Sequence, residues 1–420
     1  MRTRAIPLQL RPLQFCPLFL LAFALHADAQ KFYTYVMDLG PDYVQLAWGT
    51  TAGENTIGRS SPSFGNATVE IANRKLISVG NSITVGDLAP DRSYKYTVSL
   101  RDKTLGQGEV RTWAAKSQQL TFFVVGDFGT GKGPQYSIAR AMWDEFQRRA
   151  ATTNPVRFLL SVGDNVYGDL RGTGFGFRHT GSSDEDWGSK FFEPYEPLLA
   201  RIPFFPALGN HDGNETEKHH DMDVILDNFA FPQNKPARYY DFNYGGLARF
   251  FALDSTSNTE SGSARPGYLE DSPQFHWMQS EFAKPHPLWV IPYFHHPMFT
   301  AGPEHPPSLQ QLRHWFQLFV NTGVKVVFSG HEHNFQASEV SSATGGIRFF
   351  VSGAGGELRT GNVQKNMQNA HIAAWAEQNH FLEVDINGKT MQVTPLSYQP
   401  LNIVDAQSAN VPVPFTVTLP

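Results

Sequence analysis

Five short stretches of this chain each place oxygen or imidazole donors directly after an apolar run. Val124-Val125 is followed by Gly126-Asp127-Phe128-Gly129, and Ser161-Val162 by Gly163-Asp164-Asn165-Val166-Tyr167. Ala207-Leu208 leads to Gly209-Asn210-His211-Asp212, Tyr293-Phe294 to His295-His296, and Phe328-Ser329 to Gly330-His331-Glu332-His333-Asn334. Carboxylate, phenol, amide and imidazole are donors that hard and borderline metal ions take. A glycine ahead of the donor lets the backbone come close to such an ion. One Gly-Asp turn or one histidine carries little information. Five in series, each at the end of an apolar run, predict a metal site.

The runs that must position these donors are Leu120–Val125, Phe158–Val162, Phe204–Leu208, Phe250–Leu253, Trp289–Phe294, Val324–Phe328 and Ile347–Val351. They are short, unbroken and rich in Phe and Val, as strands covered on both faces are. After the first comes a helix with Pro134 at its start and Ile138, Met142 and Phe146 on one face; another carries Leu309, Leu312, Phe316 and Phe319. The alternation predicts a layered α/β domain. In such sheets ligands bind outside the carboxyl ends of the strands, where the donors stand. The Gly-rich stretch from Gly168 to Gly188 reads as a long functional loop.

Composition sets the outer limits. The chain has 420 residues, 41% hydrophobic and 17% charged, with a net charge of −5, which describes a soluble globular protein of more than one domain. Thirty-three Phe, fourteen Tyr and eight Trp exclude disorder as the main state. The charge excludes a strongly basic nucleic-acid footprint, and a single apolar stretch near spanning length excludes a multipass membrane protein. That stretch lies in residues 1–29: Arg2, Arg4 and Arg11, an apolar run Leu18–Leu25, then Ala27-Asp28-Ala29 before Gln30. This is the layout of a cleaved signal peptide, the alternative being an uncleaved anchor. It predicts a secreted or periplasmic protein with no membrane attachment after cleavage. Cys16 is the only cysteine and leaves with the signal, so the mature chain has no disulfide, thiolate chemistry, cysteine-zinc site or iron–sulfur cluster.

Before the α/β pattern, residues 31–113 read as short strands between turns. Tyr43–Trp48 alternates as a half-buried strand does. Trp48, the turn Leu88-Ala89-Pro90 and the strand Tyr94-Lys95-Tyr96-Thr97-Val98 resemble a fibronectin type III β-sandwich. It contains no candidate catalytic cluster.

In order and identity, GDFG, GDNVY, GNHD, the His of FHHP and GHEH resemble the five blocks of purple acid phosphatases, within the wider metallophosphoesterase fold, over roughly residues 119–355. The sandwich resembles the N-terminal domain of the larger plant-type enzymes, whereas GDNVY and GHEHN are closer to the small tartrate-resistant type. The expected fold class is α/β: an all-β sandwich at 30–115, a layered αββα metallophosphoesterase domain at 119–405 and a C-terminal tail at 406–420.

The resemblance implies that Asp127, Tyr167 and His333 bind Fe(III), that Asn210, His295 and His331 bind a divalent ion (Fe, Zn or Mn), and that Asp164 bridges the two. It implies an acid phosphatase hydrolysing small phosphate monoesters with a metal-bound hydroxide, without a nucleic-acid scaffold. His211 would serve as acid or phosphate donor, and His305, ten residues after His295, as a second substrate-side histidine. His296 reads as a cleft or supporting residue.

Most metallophosphoesterases carry Asp-x-His in the first block; here Gly129 takes the His position and Tyr167 arrives from the second. A free phenol has a pKa near 10, so a trivalent, oxygen-preferring ion suits it better than a divalent one. The alternatives are a zinc or manganese phosphodiesterase or nucleotidase with Tyr167 only hydrogen-bonding, and an extracellular binding protein with a relic catalytic domain. All seven ligand positions are filled, against the relic.

Pro292 stands where the family usually has Val, which predicts an edge or irregular strand. The run Gly126 to Gly133 nearly spells a phosphate loop, but Gly133 replaces the magnesium-binding Ser or Thr and Asp127 would repel phosphate. His179 and the group Glu217, His219, His220 and Asp221 read as loop residues. Asn66 and Asn214 fit glycosylation acceptors.

Overall fold

The computed structural model describes residues 31–50, 66–167, 187–212, 228–229, 238–256 and 267–420. The signal segment, most of the Gly-rich loop, His179, the Glu217–Asp221 group and Asn214 lie outside the described residues; Asn66 is exposed.

Seven strands open the described chain: β1 (Tyr33–Leu39), β2 (Val44–Gly49), β3 (Thr68–Ile71), β4 (Arg74–Ile77), β5 (Ser82–Val85), β6 (Ser93–Leu100) and β7 (Lys103–Arg111). They form two antiparallel sheets, in the orders β1-β2-β5 and β4-β3-β6-β7. The Tyr94 hydroxyl, at the start of β6, accepts the Ala89 amide at 2.8 Å and pins the turn before it. The alternation of Tyr43–Trp48 predicted one wet face, yet every residue of β2 is buried. The strand beside it docks on the α/β part. Next to β2, Tyr33 and Tyr35 of β1 pack their rings on Phe192 at 5.2 and 5.3 Å, and the Tyr35 hydroxyl donates to the Asn228 carbonyl. The sheets are therefore not an appended module. Trp113, just past β7, packs on Phe158, Phe205, Phe242 and Tyr244, and the Tyr96 hydroxyl donates to the Ala200 carbonyl.

The α/β part contains β8 (Gln119–Val125), α1 (Gly133–Ala150), β9 (Val156–Val162), α2 (Glu193–Leu199), β10 (Phe204–Ala207), β11 (Tyr240–Tyr244), β12 (Ala248–Ala252), α3 (Pro273–Phe282), β13 (Trp289–Tyr293), α4 (Arg313–Asn321), β14 (Val326–Ser329), β15 (Phe335–Ser338), β16 (Arg348–Ser352), α5 (Gln364–Met367), β17 (Ile372–Ala376), β18 (Phe381–Asn387), β19 (Thr390–Leu396) and β20 (Phe415–Thr418). One sheet runs β10-β9-β8-β18-β19-β20 and the other β11-β12-β13-β14-β16-β15-β17. Phe122 and Phe158 from the first meet Phe250 from the second edge to face at 5.2 and 5.1 Å, so the two sheets share one aromatic core. Along the second sheet the pleat divides neighbours. Phe250, Ile291, Phe328 and Phe350 face that core, whereas Phe251, Val290, Val327 and Phe349 join Phe275, Met278, Trp315 and Phe319 of α3 and α4. Continuous apolar runs follow from burial on both faces. α4 begins at Arg313, so Leu309 and Leu312, expected on this helix, precede it.

Two expectations need correction. Residues 406–420 are not a free tail: β20 pairs with β19, and Phe415 and Val417 alternate into the core. A four-residue strand after two prolines gives too short an alternation to stand out. Pro292 is not on an edge, since β13 lies between β12 and β14. The expected irregularity is there. The Phe294 amide donates to the Phe328 carbonyl on β14, while two residues earlier Pro292 has no amide to give, and β13–β14 register is confined to Tyr293 and Phe328.

His380 leads into β18, fully buried against the Phe335 ring. Its Nδ1 lies 2.9 Å from the Gln378 carbonyl and its Nε2 is buried without a partner, so burial pulls its pKa down to about 4. The unfolded chain takes up this proton near the ordinary value of 6.5. Stability is then complete above that pH and lost as pH falls to the folded value, by about 3 kcal/mol. Urea unfolding of His380→Gln is expected to show a shallower loss between pH 7 and pH 4 than the parent; an unchanged loss would assign acid sensitivity elsewhere.

Candidate metal centre

Three adjacent parallel strands of one sheet, β8, β9 and β10, lead directly into the turns that carry Asp127, Asp164 and Asn210; two adjacent parallel strands of the other, β13 and β14, lead into those of His295 and His331. The shared core brings these ends to one place. Asp127 and Asp164 are buried, and their carboxylate oxygens lie with a ring nitrogen of His333 within 4.8 Å of one another. The His333 Nε2 is 3.2 Å from Asp127 Oδ1 and 3.2 Å from the Tyr167 hydroxyl, which itself lies 3.3 Å from Asp127. On the other side, His295 Nε2 is 2.9 Å from Asn210 Oδ1, 3.1 Å from His331 Nδ1 and 3.4 Å from Asp164 Oδ2. All seven predicted ligand residues are thus in one cluster. It divides into an Asp127–Tyr167–His333 group and an Asn210–His295–His331 group, and Asp164 adjoins the second and belongs to the carboxylate set of the first.

The backbone is bent to achieve this. Asp127, Asp164 and His331 have φ of 54°, 51° and 70°, a left-handed conformation that costs a non-glycine residue on the order of 1 kcal/mol or more. Two hydrogen bonds tie these bends down. His331 N–H donates to Asp127 Oδ2 at 2.9 Å, and His211 N–H to Asp164 Oδ1 at 2.8 Å. Gly209 is required by close approach, since any Cβ there would strike the Asp164 backbone nitrogen and carboxylate. Gly129 is required in the same way: a Cβ would strike the Asn165 carbonyl, so no imidazole fits the first-block position. The Tyr167 amide donates to the Gly129 carbonyl at 2.8 Å, which sets the phenol in its place.

Burial, reinforced by Asp164 and Asp127, pushes the Tyr167 phenol well above its ordinary value. Burial would raise Asp164 as well, but His295 beside it and the His211 amide hold it well below the usual carboxylate range. Carboxylate, phenol, amide and imidazole atoms gathered within 3.4 Å of one another are a donor set that fits metal ions. The His211 ring lies tilted against Tyr167, with centroids 4.8 Å apart. His305 stacks on His331 at 3.9 Å, with its Nε2 buried and unpartnered. His296 is held by Ser255 at 2.9 Å, and burial with the His295 charge pulls it down to about 3, so it supports the cluster from behind as a neutral ring.

Three supporting residues escaped the sequence reading. Asp212 accepts the amides of Asn165 and Gly209 and the Asn165 side chain, lacing two blocks together; burial and the Asp164 charge push it up to about 7. Its signal was present as the last letter of GNHD. Glu332, fully buried, accepts the amides of His305 and Glu304 and so carries the His305 loop to the site. Lys190, buried, donates to the Tyr167 carbonyl at 2.7 Å, and nothing in the sequence marked it.

The model of the calcineurin-like phosphoesterase family matches residues 120–335 of the chain. Purple acid phosphatase 1 of Ipomoea batatas is 23% identical over 61% of this chain and 51% of its own length. This chain spans about half to three fifths of the curated relatives it matches. Among solved structures, PhoD superposes with a TM-score of 0.61 at 14% identity, over 89% of this chain and 88% of its own. The purple acid phosphatase PPD1 from yellow lupin (Lupinus luteus) seeds gives 0.64 at 13% identity, over 93% and 74%. These likenesses show an α/β metallophosphoesterase fold preceded by N-terminal sheets.

Asp164 is the carboxylate closest to both donor groups. Metal analysis of Asp164→Ala is expected to show loss of both ions where the parent holds two. Retention of both would rule out a bridging role.

Proposed function

The chain belongs to the calcineurin-like phosphoesterase family, and from that premise we propose that it is an exported acid phosphatase of the purple acid phosphatase type, acting on small phosphate monoesters. Metal binding and phosphoester hydrolysis come with the family. The monoester reading rests on one observation: Tyr167 occupies the metal-facing space while Gly129 leaves no room for the usual imidazole. Asp127, Tyr167 and His333 would hold Fe(III), Asn210, His295 and His331 a divalent Fe, Zn or Mn ion, and Asp164 would serve both. A phenol that faces the metal position gives up its proton most readily to a strongly polarising ion, which favours the ferric state at this group. When bound, the pair neutralises phosphate charge and activates a water molecule for attack.

The chain's own residues supply the rest. His211, held by its amide on Asp164 and by its ring on Tyr167, is placed to protonate the departing alkoxide. His305 presents an unpartnered ring nitrogen on a loop that Glu332 fixes, suited to a phosphate oxygen. Residues 1–29 would direct export. The N-terminal sheets read as fibronectin type III-like, a reading supported by their three-plus-four strand order and by the Tyr94 corner.

Elemental analysis with a visible spectrum tests the metal reading. The parent is expected to contain iron and absorb visible light, and Tyr167→Phe to lose the band; a colourless, diester-preferring parent would favour a zinc or manganese diesterase instead. His211→Ala is expected to lower kcat on monoesters roughly a hundredfold or more with metal content intact. Loss of metal in that variant would make His211 a ligand.

A further inference from the structure

A second site lies at the seam between the N-terminal sheets and the α/β part. A cavity of about 270 Å³ opens where β7, the C-terminal end of α1 and the start of β9 meet. Arg111, Arg157, Arg201 and Glu109 provide its charged lining, and Phe146 and Ile202 are among its apolar walls. Arg157 is only 6% exposed. Its Nη2 donates to Asp91 at 2.8 Å, its Nη1 reaches the Thr112 carbonyl only at 3.5 Å, and its Nε is buried without a partner. Arg111 directs Nε and Nη2 to the same Asp91, at 3.0 and 3.1 Å. One carboxylate therefore serves two guanidinium groups. Arg201 lies over the Trp143 ring and gives Nη1 to the Pro197 carbonyl. Three guanidinium groups against Asp91 and Glu109 leave the pocket with a positive surplus.

Guanidinium groups that outnumber the carboxylates beside them are costly in a part-buried hollow, and an anion among Arg111, Arg157 and Arg201 offsets that excess. The site is remote from the metal cluster. Arg157 is the second residue of β9 and Asp164 follows the strand's far end, a span of roughly 20 Å at about 3.3 Å per residue. The volume lies near the lower end of ligand pockets, and the walls are partly apolar.

We propose that this cavity binds a small organic oxyanion, with a carboxylate or phosphoryl head on Arg157 and Arg201 and a compact apolar body against Phe146 and Ile202. The proposal does not depend on the phosphatase reading, because binding is measured without turnover. Calorimetric titration of the full-length metal-loaded protein with benzoate, and in parallel with non-hydrolysable phenylphosphonate, tests it and distinguishes the two heads. At least one probe is expected to bind saturably at one site. Its affinity should fall about tenfold or more in Arg157→Lys and in Arg201→Gln, while monoester turnover of Arg201→Gln stays within about twofold of the parent. Arg201 is only partly buried, so its variant keeps the test available if Arg157→Lys fails to fold. Absence of saturable binding by both probes, or equal affinity in the parent and Arg201→Gln, overturns the proposal; the second result would place the anion at the metal centre.

Discussion

Two buried carboxylates, Asp127 and Asp164, face each other at the ends of neighbouring parallel strands, and no lysine or arginine contacts either among the described residues. Histidines, a phenol and backbone amides surround them instead. Two negative charges this close are expensive to keep in a low-dielectric interior, even with an imidazole beside each. Cations placed between them reverse the sign of that cost, so the cluster is built for metal in a way that a packed core is not. The strained left-handed turns at Asp127, Asp164 and His331 belong to the same constraint. They aim donors inward, and the two carboxylates hold the turns through the His331 and His211 amides. Ligand geometry and loop geometry are one hydrogen-bonded unit.

What places this unit is the aromatic contact between the sheets. Phe122, Phe158, Phe242 and Phe250 interlock edge to face and stacked, which fixes where β8, β9 and β10 end relative to β13 and β14. Truncating such a ring typically costs about 3–5 kcal/mol and shifts its neighbours. The N-terminal sheets extend the same core through Trp113 and Tyr35, and through the Asp91–Arg157 ion pair at 2.8 Å. They act on β9 at the end opposite Asp164. The seam is thus mechanically continuous with a strand that delivers a candidate ligand.

The donors and their strands were legible because both kinds of signal are local. An apolar run ending in Gly-Asp or Gly-His needs only six or seven residues to be read, and burial on both faces makes the run continuous. The docking of the N-terminal sheets was not legible, because it rests on single residues far apart in sequence, such as Tyr96 with Ala200 and Trp113 with Phe242. Glu332 and Lys190 were missed because a carboxylate or ammonium that holds backbone carries no spacing rule. Pro292 shows a partial success: its missing amide does thin the β13–β14 ladder, but parallel strands joined at one register pair remain neighbours inside the sheet.

The two donor groups differ in chemistry, and their surroundings explain why. The oxygen-rich group of Asp127 and Tyr167 sits beneath Gly129, where the backbone of Asn165 closes the space an imidazole would need. Tyr167 is held there from two sides, its amide on Gly129 and its carbonyl on Lys190, whose burial beside α1 depends on Gln135 accepting the Thr130 and Gly131 amides and donating to the Lys190 carbonyl. Exchanging Tyr167 for histidine would shorten the side chain and withdraw its donor from Asp127 and His333, while leaving the carbonyl that Lys190 holds. Exchanging Gly129 for histidine would break the turn itself. The phenol and the glycine are therefore a coupled choice: the turn that excludes an imidazole is the one that seats the phenol.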